Sequence, residues 1–111
     1  MEITTKELRR CDVVTAKGRV DASSVRELAQ ALAAIENAGR YKIVLNMKEV
    51  DFISSAGLNE LIETQRACKQ MNRGELLLAE VPPKVTGVLE LAGLTPLFRL
   101  FETEAEAVGT F

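Results

Sequence analysis

The 111-residue chain contains no histidine and no tryptophan, and its aromatic side chains are one tyrosine and four phenylalanines. Without histidine there is no Ser–His or Cys–His nucleophile pair, no HExxH zinc site and no imidazole base. The shortage of aromatic side chains also disfavours a platform on which nucleic-acid bases stack. The sequence therefore excludes most familiar catalytic machinery before any motif is considered.

The net charge is small, and long apolar runs and cysteines are scarce. Fourteen Lys and Arg against 16 Asp and Glu give a net charge of -2, which disfavours the basic stripe of a nucleic-acid binder. No apolar run approaches the ~20 residues that span a bilayer, and the first residues do not resemble a signal peptide. Cys11 and Cys68 form no CxxC pair and are expected to be reduced. We expect a cytoplasmic protein with no membrane insertion, no direct nucleic-acid partner, no metal and no cofactor.

Residues 1–111 are expected to form a single domain, because a chain of this length buries one core. The hydrophobic periodicity predicts the order ββαβαβαβα. Strands separated by helices must be parallel, whereas the first two form an antiparallel hairpin. The fold class is therefore α/β, with a mixed, mostly parallel sheet and helices packed mainly on one side. The predicted strands are 3–8, 13–20, 41–47, 75–79 and 98–101.

Several helix boundaries follow from capping patterns. Two capping boxes are predicted, Ser24 with Glu27 and Thr103 with Glu106. The second helix is predicted to run from Ser55 to about residue 72, with Met71 facing the core.

Residues 50–60 form the most unusual stretch, because they join a buried strand to an amphipathic helix. In open α/β sheets, ligands and partners meet the carboxyl ends of the strands. Ser54 and Ser55 precede small residues, so a hydroxyl there lies among unpaired backbone N–H groups that favour negative charge. A catalytic serine would need a base, and no base is placed by spacing. The residues alone leave a phosphoacceptor and a simple N-cap as alternatives.

Residues 52–58, Phe-Ile-Ser-Ser-Ala-Gly-Leu, resemble the signature of the STAS family, the sulphate-transporter and anti-sigma-factor-antagonist domains. Further blocks resemble the family in the same order along the chain. These blocks are Gly-Arg-Val-Asp at 18–21, Leu-Ala-Gly-Leu at 91–94, Leu-Phe-Arg-Leu-Phe at 97–101 and Glu-Ala-Glu-Ala at 104–107. The resemblance covers nearly the whole chain and implies a STAS-like fold.

Within this family, a short, free-standing domain such as this one resembles the bacterial anti-sigma factor antagonists. That resemblance implies a regulator that is not an enzyme. Its unphosphorylated form would bind an anti-sigma factor that is also a serine kinase, and so free a sigma factor. The kinase would then phosphorylate one serine, which would dissociate the complex. A serine phosphatase would remove the phosphate and restore the binding form.

Alignment on the Gly-Leu pair implies that Ser55 is the phosphoacceptor, with Ser54 as the second choice. Two positions depart from the family pattern, since Ser54 and Asn46 both stand where many members have aspartate. The residues that the resemblance assigns to partner binding are Asp21, Ser23, Ser24, Ser54, Ser55, Ala56, Gly57 and Asn59.

Two other functions remain as alternatives. The chain could be a cytoplasmic accessory subunit of a membrane transporter, a scaffold that is not phosphorylated on Ser55. It could also be a small nucleotide-binding or hydrolytic protein, but the sequence has no GxxxxGK[ST] loop and no histidine.

Overall fold

A five-stranded sheet runs through the middle of the molecule, with its strands in the order of the chain. The computed structural model describes residues 1–111. The strands are β1 Glu2–Glu7, β2 Asp12–Val20, β3 Lys42–Ile53, β4 Glu75–Ala79 and β5 Leu100–Phe101. β1 is antiparallel to β2, and every other neighbouring pair is parallel. The predicted mixed sheet with an antiparallel edge is confirmed.

Four helices cover the two faces of this sheet unequally. They are α1 Val25–Asn37, α2 Ser55–Lys69, α3 Pro83–Leu91 and α4 Glu104–Thr110, and a 3₁₀ turn lies at Thr95–Leu97. The first three helices pack on one face around a cluster of 19 buried residues. A cluster of six buried residues lies on the other face, where α4 contributes Ala107. The prediction of helices mainly on one side is therefore confirmed.

The middle strands are apolar on both faces because both faces are covered. Along β3, Ile43 and Leu45 contribute to the larger cluster, whereas Val44 contributes to the smaller one. This alternation is the two-residue period of a strand. The continuous apolar run at the start of β3 thus follows from its central position.

β3 is longer than predicted, because it continues past Met47 to Ile53. The added residues pair only with β2, through partners such as Val20 with Ile53, since β4 ends opposite Asn46. In this two-stranded extension Val50 and Ile53 are buried, whereas Lys48, Glu49, Asp51 and Phe52 are exposed. The prediction ended too early because it depended on an unbroken apolar run.

Two helix predictions are wrong. α2 ends at Lys69, and Met71 lies in the following turn with 44% of its surface exposed rather than in the core. Ser24 does not form a capping box with Glu27, because its side chain makes no cap hydrogen bond. The predicted Thr103 cap is confirmed at the start of α4, where Thr103 Oγ1 accepts from Glu106 N–H at 3.1 Å. The Glu106 carboxylate accepts from the Thr103 hydroxyl rather than from its backbone N–H, so the reciprocal bond of a capping box is not made.

Candidate functional site

The candidate site lies where β2 and β3 end. Val20 and Ile53 are paired neighbours, and the Ser54 N–H donates to the Val20 carbonyl at 2.8 Å. Asp21 and Ser54, which follow these two strands, therefore stand side by side at the carboxyl edge of the sheet. The fold thus brings together the two segments on which the sequence analysis concentrated.

The two serines at this edge have opposite environments. Ser55 is the first residue of α2 and its side chain is exposed. Ser54 is half-buried, and its Oγ is buried without a hydrogen-bond partner. Ser54 occupies the N-cap position in an extended conformation, but its side chain makes no cap hydrogen bond. The N-cap alternative thus accounts for neither hydroxyl.

The start of α2 offers unpaired backbone donors. The Leu58 N–H donates to the Ser54 carbonyl at 2.9 Å, which is the first hydrogen bond of the helix. The N–H groups of Ser55, Ala56 and Gly57 therefore have no acceptor within the helix. Together with the helix dipole they favour negative charge beside the Ser55 hydroxyl.

Gly57 allows α2 to begin this close to the sheet. A Cβ at this buried position would lie 2.6 Å from Ile53 Cγ1 and 2.8 Å from Val20 Cγ1. Both atoms belong to core side chains, so only a residue without a side chain fits unless the core moves. Gly57 therefore affects the site by setting the position of α2 on the core. Ala56 is half-buried, and Asn59 is exposed on the surface of α2.

Asp21 organises the loop between β2 and α1. Its Oδ1 accepts from the Ser23 Oγ at 2.7 Å, from the Ser23 N–H at 3.0 Å and from the Ser24 N–H at 3.2 Å. These hydrogen bonds, above all the one from the Ser23 hydroxyl, lower the pKa of Asp21. The carboxylate therefore remains charged at neutral pH beside the two serines of α2.

Ser24 secures the same loop in a different way from the predicted cap. Its Oγ donates to the Arg19 carbonyl at 2.6 Å and accepts from the Asp21 N–H at 3.0 Å. It therefore ties the loop back to the end of β2. Ser23 is the more exposed of the pair.

Arg19 and Phe52 belong to this edge and were missed in the sequence analysis. They are paired across β2 and β3, and the Arg19 guanidinium lies 4.2 Å from the centre of the Phe52 ring. The Arg19 Nε is also 3.5 Å from Asp21 Oδ2. Phe52 remains 39% exposed, so an aromatic face and a cation adjoin the serines. The apolar residues at positions 50, 52 and 53, which indicate that β3 continues beyond Met47, were the signal that could have identified them.

Asn46 lies earlier along β3, opposite the end of β4, where it contacts two half-buried glutamates near α4. Its Nδ2 donates to Glu80 Oε2 at 3.2 Å and to Glu104 Oε1 at 3.0 Å. An aspartate here would place a third carboxylate against these two, and like charges at such distances repel. The departure at Asn46 thus has a local electrostatic reason and does not alter the surface around Ser55.

The comparisons with known proteins agree with this geometry. The model of the STAS domain family matches residues 2–107. The chain belongs to the STAS domain family. A relative from Bordetella bronchiseptica, BtrV, which is named as an anti-sigma factor antagonist, is 29% identical over 111 residues, covering 100% of this chain and 95% of its own. The anti-sigma-B factor antagonist of Staphylococcus aureus is 31% identical over 90 residues, covering 80% and 82%.

Solved STAS structures share the fold over almost the whole chain. The anti-sigma factor antagonist SpoIIAA in its unphosphorylated form matches with a TM-score of 0.82 at 22% identity, covering 98% of this chain and 95% of that one. The Bacillus SpoIIAA in its phosphorylated form matches with a TM-score of 0.76 at 21% identity, covering 98% of each chain. No helix of this STAS protein combines the length and apolar character needed to cross a membrane.

Proposed function

We propose that this STAS protein is an anti-sigma factor antagonist whose binding to an anti-sigma factor is controlled by phosphorylation of Ser55. The anti-sigma factor would also be the serine kinase, and a serine phosphatase would restore the binding form. Relatives named as anti-sigma factor antagonists, matched over most of both chains, support the choice of partner. A solved relative known in phosphorylated and unphosphorylated forms supports the mode of control.

The contrast between the two serines carries the assignment to Ser55. A kinase must reach the acceptor oxygen, and the Ser55 side chain is exposed whereas the Ser54 Oγ is buried. The kinase supplies the catalytic groups, so the substrate needs only an accessible hydroxyl. This is consistent with a chain that has no histidine and acts as a regulator rather than as an enzyme.

The proposed binding surface surrounds Ser55 at the carboxyl edge of the sheet. Its members come from the loop after β2 and from the start of α2, namely Asp21, Ser23, Ser24, Ser54, Ser55, Ala56, Gly57 and Asn59. Of these, Ser23, Ser55 and Asn59 are exposed and available for direct contact. Gly57 is buried and sets the position of the helix.

A phosphate on Ser55 would change binding far more than folding. It adds about -1.5 to -2 charges at pH 7 to a chain whose net charge is -2. The free N–H groups at the start of α2 accommodate that charge within the folded protein. A partner that covers Ser55 must instead desolvate a dianion, which is far more costly than covering a hydroxyl.

Phosphate mapping tests the proposal. The purified protein is incubated with its anti-sigma factor kinase and ATP, and the product is mapped by mass spectrometry. We expect one phosphate on Ser55, no phosphate on Ser55→Ala, and unchanged incorporation in the control Thr4→Ala, whose exposed side chain lies in β1 outside the proposed binding surface. Phosphate on Ser54 or Ser23 in the wild-type protein would overturn the assignment. Co-purification with a membrane transporter, and not with an anti-sigma factor, would overturn the function.

A further inference from the structure

The end of the sheet opposite Ser55 holds two adjoining grooves. They are formed by the segments that precede the parallel strands and have volumes of about 340 and 680 Å³. Arg10 and Lys42 line both grooves, which makes them one continuous depression. Lys42 begins β3 and Ser54 follows its last residue, so this depression and the candidate site lie at opposite ends of one strand. We call the depression the cationic groove.

The charges in the cationic groove are not balanced. Five of its side chains are cations, Arg10, Arg40, Lys42, Arg73 and Arg99, and only Asp12 and Glu75 are anions. Arg40 pairs with Asp12, and Arg99 pairs with Glu75 at 2.7 Å. Arg10, Lys42 and Arg73 form no ion pair with any residue of the chain. Three uncompensated cations therefore converge on one depression of a protein whose net charge is -2.

Arg73 adds a second observation, because its backbone is in an unfavourable conformation. Its φ is 60°, in the left-handed region where glycine and asparagine are the ordinary residues. The arginine side chain gains no ion pair in the folded chain to offset that strain. The charge of Arg73 is therefore not used in any ion pair within the protein, although glycine or asparagine would suit this backbone conformation better.

Apolar surface is interleaved with these cations. Tyr41 and Met71 line the smaller groove and Phe111 lines the larger one. Met71, which was predicted to face the core, is 44% exposed and lies in this groove. A surface of separated cations and apolar side chains in a depression fits an extended chain with carboxylates and occasional apolar side chains.

We propose that the cationic groove binds an acidic polypeptide segment of a second partner. The carboxylates of that segment pair with Arg10, Lys42 and Arg73, and its apolar side chains contact Met71 and Tyr41. The concave shape and the apolar side chains between the cations favour such a segment over a flat membrane or a nucleic acid. This proposal does not depend on phosphorylation. Because the groove and Ser55 lie at opposite ends of the sheet, both partners can be bound at the same time.

A peptide titration tests the proposal. A dye-labelled ten-residue oligoglutamate peptide is titrated with the protein at low ionic strength, and fluorescence anisotropy is measured. We expect saturable binding that weakens as salt is added, and no binding of the matched oligoglutamine peptide. Arg10→Gln, Lys42→Gln and Arg73→Gly should each weaken binding roughly two- to five-fold, and the triple variant roughly ten- to a hundred-fold. Ser55→Asp should leave the affinity unchanged.

The controls separate the groove from general electrostatics and from unfolding. Arg26→Gln and Lys84→Gln remove one unpaired cation each at positions outside the groove, and we expect them to change the affinity less than about two-fold. Arg73→Gly should keep the melting temperature or raise it, because glycine suits the left-handed backbone.

Three results would overturn the proposal. The first is equal weakening by the groove variants and the two controls. The second is displacement of the peptide by inorganic phosphate at comparable concentration, which would indicate a site for small anions. The third is tighter binding of phosphatidylserine vesicles or of an oligonucleotide through the same three side chains.

Discussion

Ser54 and Ser55 carry the same hydroxyl group, and the backbone at the start of α2 gives them different chemistry. Ser54 has the extended conformation of an N-cap residue, and its Oγ is buried without a hydrogen-bond partner. One residue later the helix has begun and the side chain of Ser55 points to solvent. At the scale of the residue, accessibility rather than residue type separates the proposed phosphoacceptor from its neighbour.

Gly57 illustrates how a residue that touches no partner can determine this surface. Gly57→Ala should lower the free energy of unfolding by about 1–3 kcal/mol, because the new methyl group overlaps Ile53 and Val20 in the core. The matched control is Gly87→Ala in α3, where an added Cβ meets nothing within 4 Å. That change should raise stability by about 0.5–1 kcal/mol. Urea denaturation measures both, and equal effects of the two substitutions would contradict the packing described here.

At the scale of the element, the edge of β4 depends on one buried amide. β5 pairs only with Leu78 and Ala79, so the backbone of Leu76, which has β3 on one side, has no strand on the other. Gln65 of α2 takes the place of a strand, since its Oε1 accepts from the Leu76 N–H at 2.8 Å and its Nε2 donates to the Leu76 carbonyl at 3.0 Å. The same Nε2 also donates to the Leu97 carbonyl at 2.9 Å, which fixes the 3₁₀ turn.

Gln65→Met should therefore be strongly destabilising. It keeps the size of the side chain but leaves the buried backbone groups of Leu76 unpaired, at a cost of about 2–4 kcal/mol. Gln30→Met, at an exposed position of α1, should change stability by less than about 0.5 kcal/mol. Thermal and urea unfolding measure the difference. A Gln65→Met protein as stable as the Gln30→Met protein would show that these hydrogen bonds contribute nothing.

The contact between α1 and α2 contains two carboxyl groups whose pKa values are raised. Burial raises the pKa of Glu60, and burial together with the charge of Glu60 raises the pKa of Glu36. The folded state thus holds these protons more tightly than the unfolded state, whose reference pKa is 4.5. Their contribution to stability is present below that value and is lost as the pH rises through the folded-state pKa.

Glu60→Gln should consequently raise the free energy of unfolding at pH 7. We expect a gain of a few tenths to about 1 kcal/mol, because solvent screens a partly exposed pair, and the gain should vanish near pH 4. Glu90→Gln is the control, because Glu90 is exposed on α3 and does not act on either carboxyl group. That change should alter stability at pH 7 by less than about 0.5 kcal/mol. A Glu60→Gln protein that is less stable than wild type at pH 7 would refute the assignment.

At the scale of the whole molecule, the two ends of the sheet carry different chemistry. One end presents the Ser55 hydroxyl beside the carboxylate of Asp21, and the other presents the cationic groove with Arg10, Lys42 and Arg73. The parallel strands make this separation, because their starts and their ends lie at opposite edges. A net charge of only -2 is therefore compatible with two surfaces of different chemistry.

The same architecture explains which features the sequence could predict. Helix periodicity and short apolar runs indicated the element order, because burial imposes those patterns directly. The extension of β3 to Ile53 was missed, since its buried residues stand singly after pairs of exposed residues and do not form an apolar run. The burial of the Ser54 Oγ and the assembly of the cationic groove depend on segments distant in the chain. Local patterns do not contain that information.

Any loss of binding by a modified protein must be separated from unfolding, and the cysteines provide that control. Cys11 and Cys68 are both buried and free, and burial raises the pKa of the Cys68 thiol to about 12. A folded protein should therefore protect both thiols from alkylation at pH 8. We expect the Ser55-phosphorylated protein to retain that protection.

The most direct test of the phosphorylation switch is a comparison of two affinities. The unphosphorylated protein and the protein phosphorylated on Ser55 are titrated into the anti-sigma factor kinase in a calorimeter, with thiol protection verified in each. We expect the phosphorylated form to bind at least about thirty-fold more weakly, which corresponds to about 2 kcal/mol. Equal affinities of the two folded proteins would contradict it.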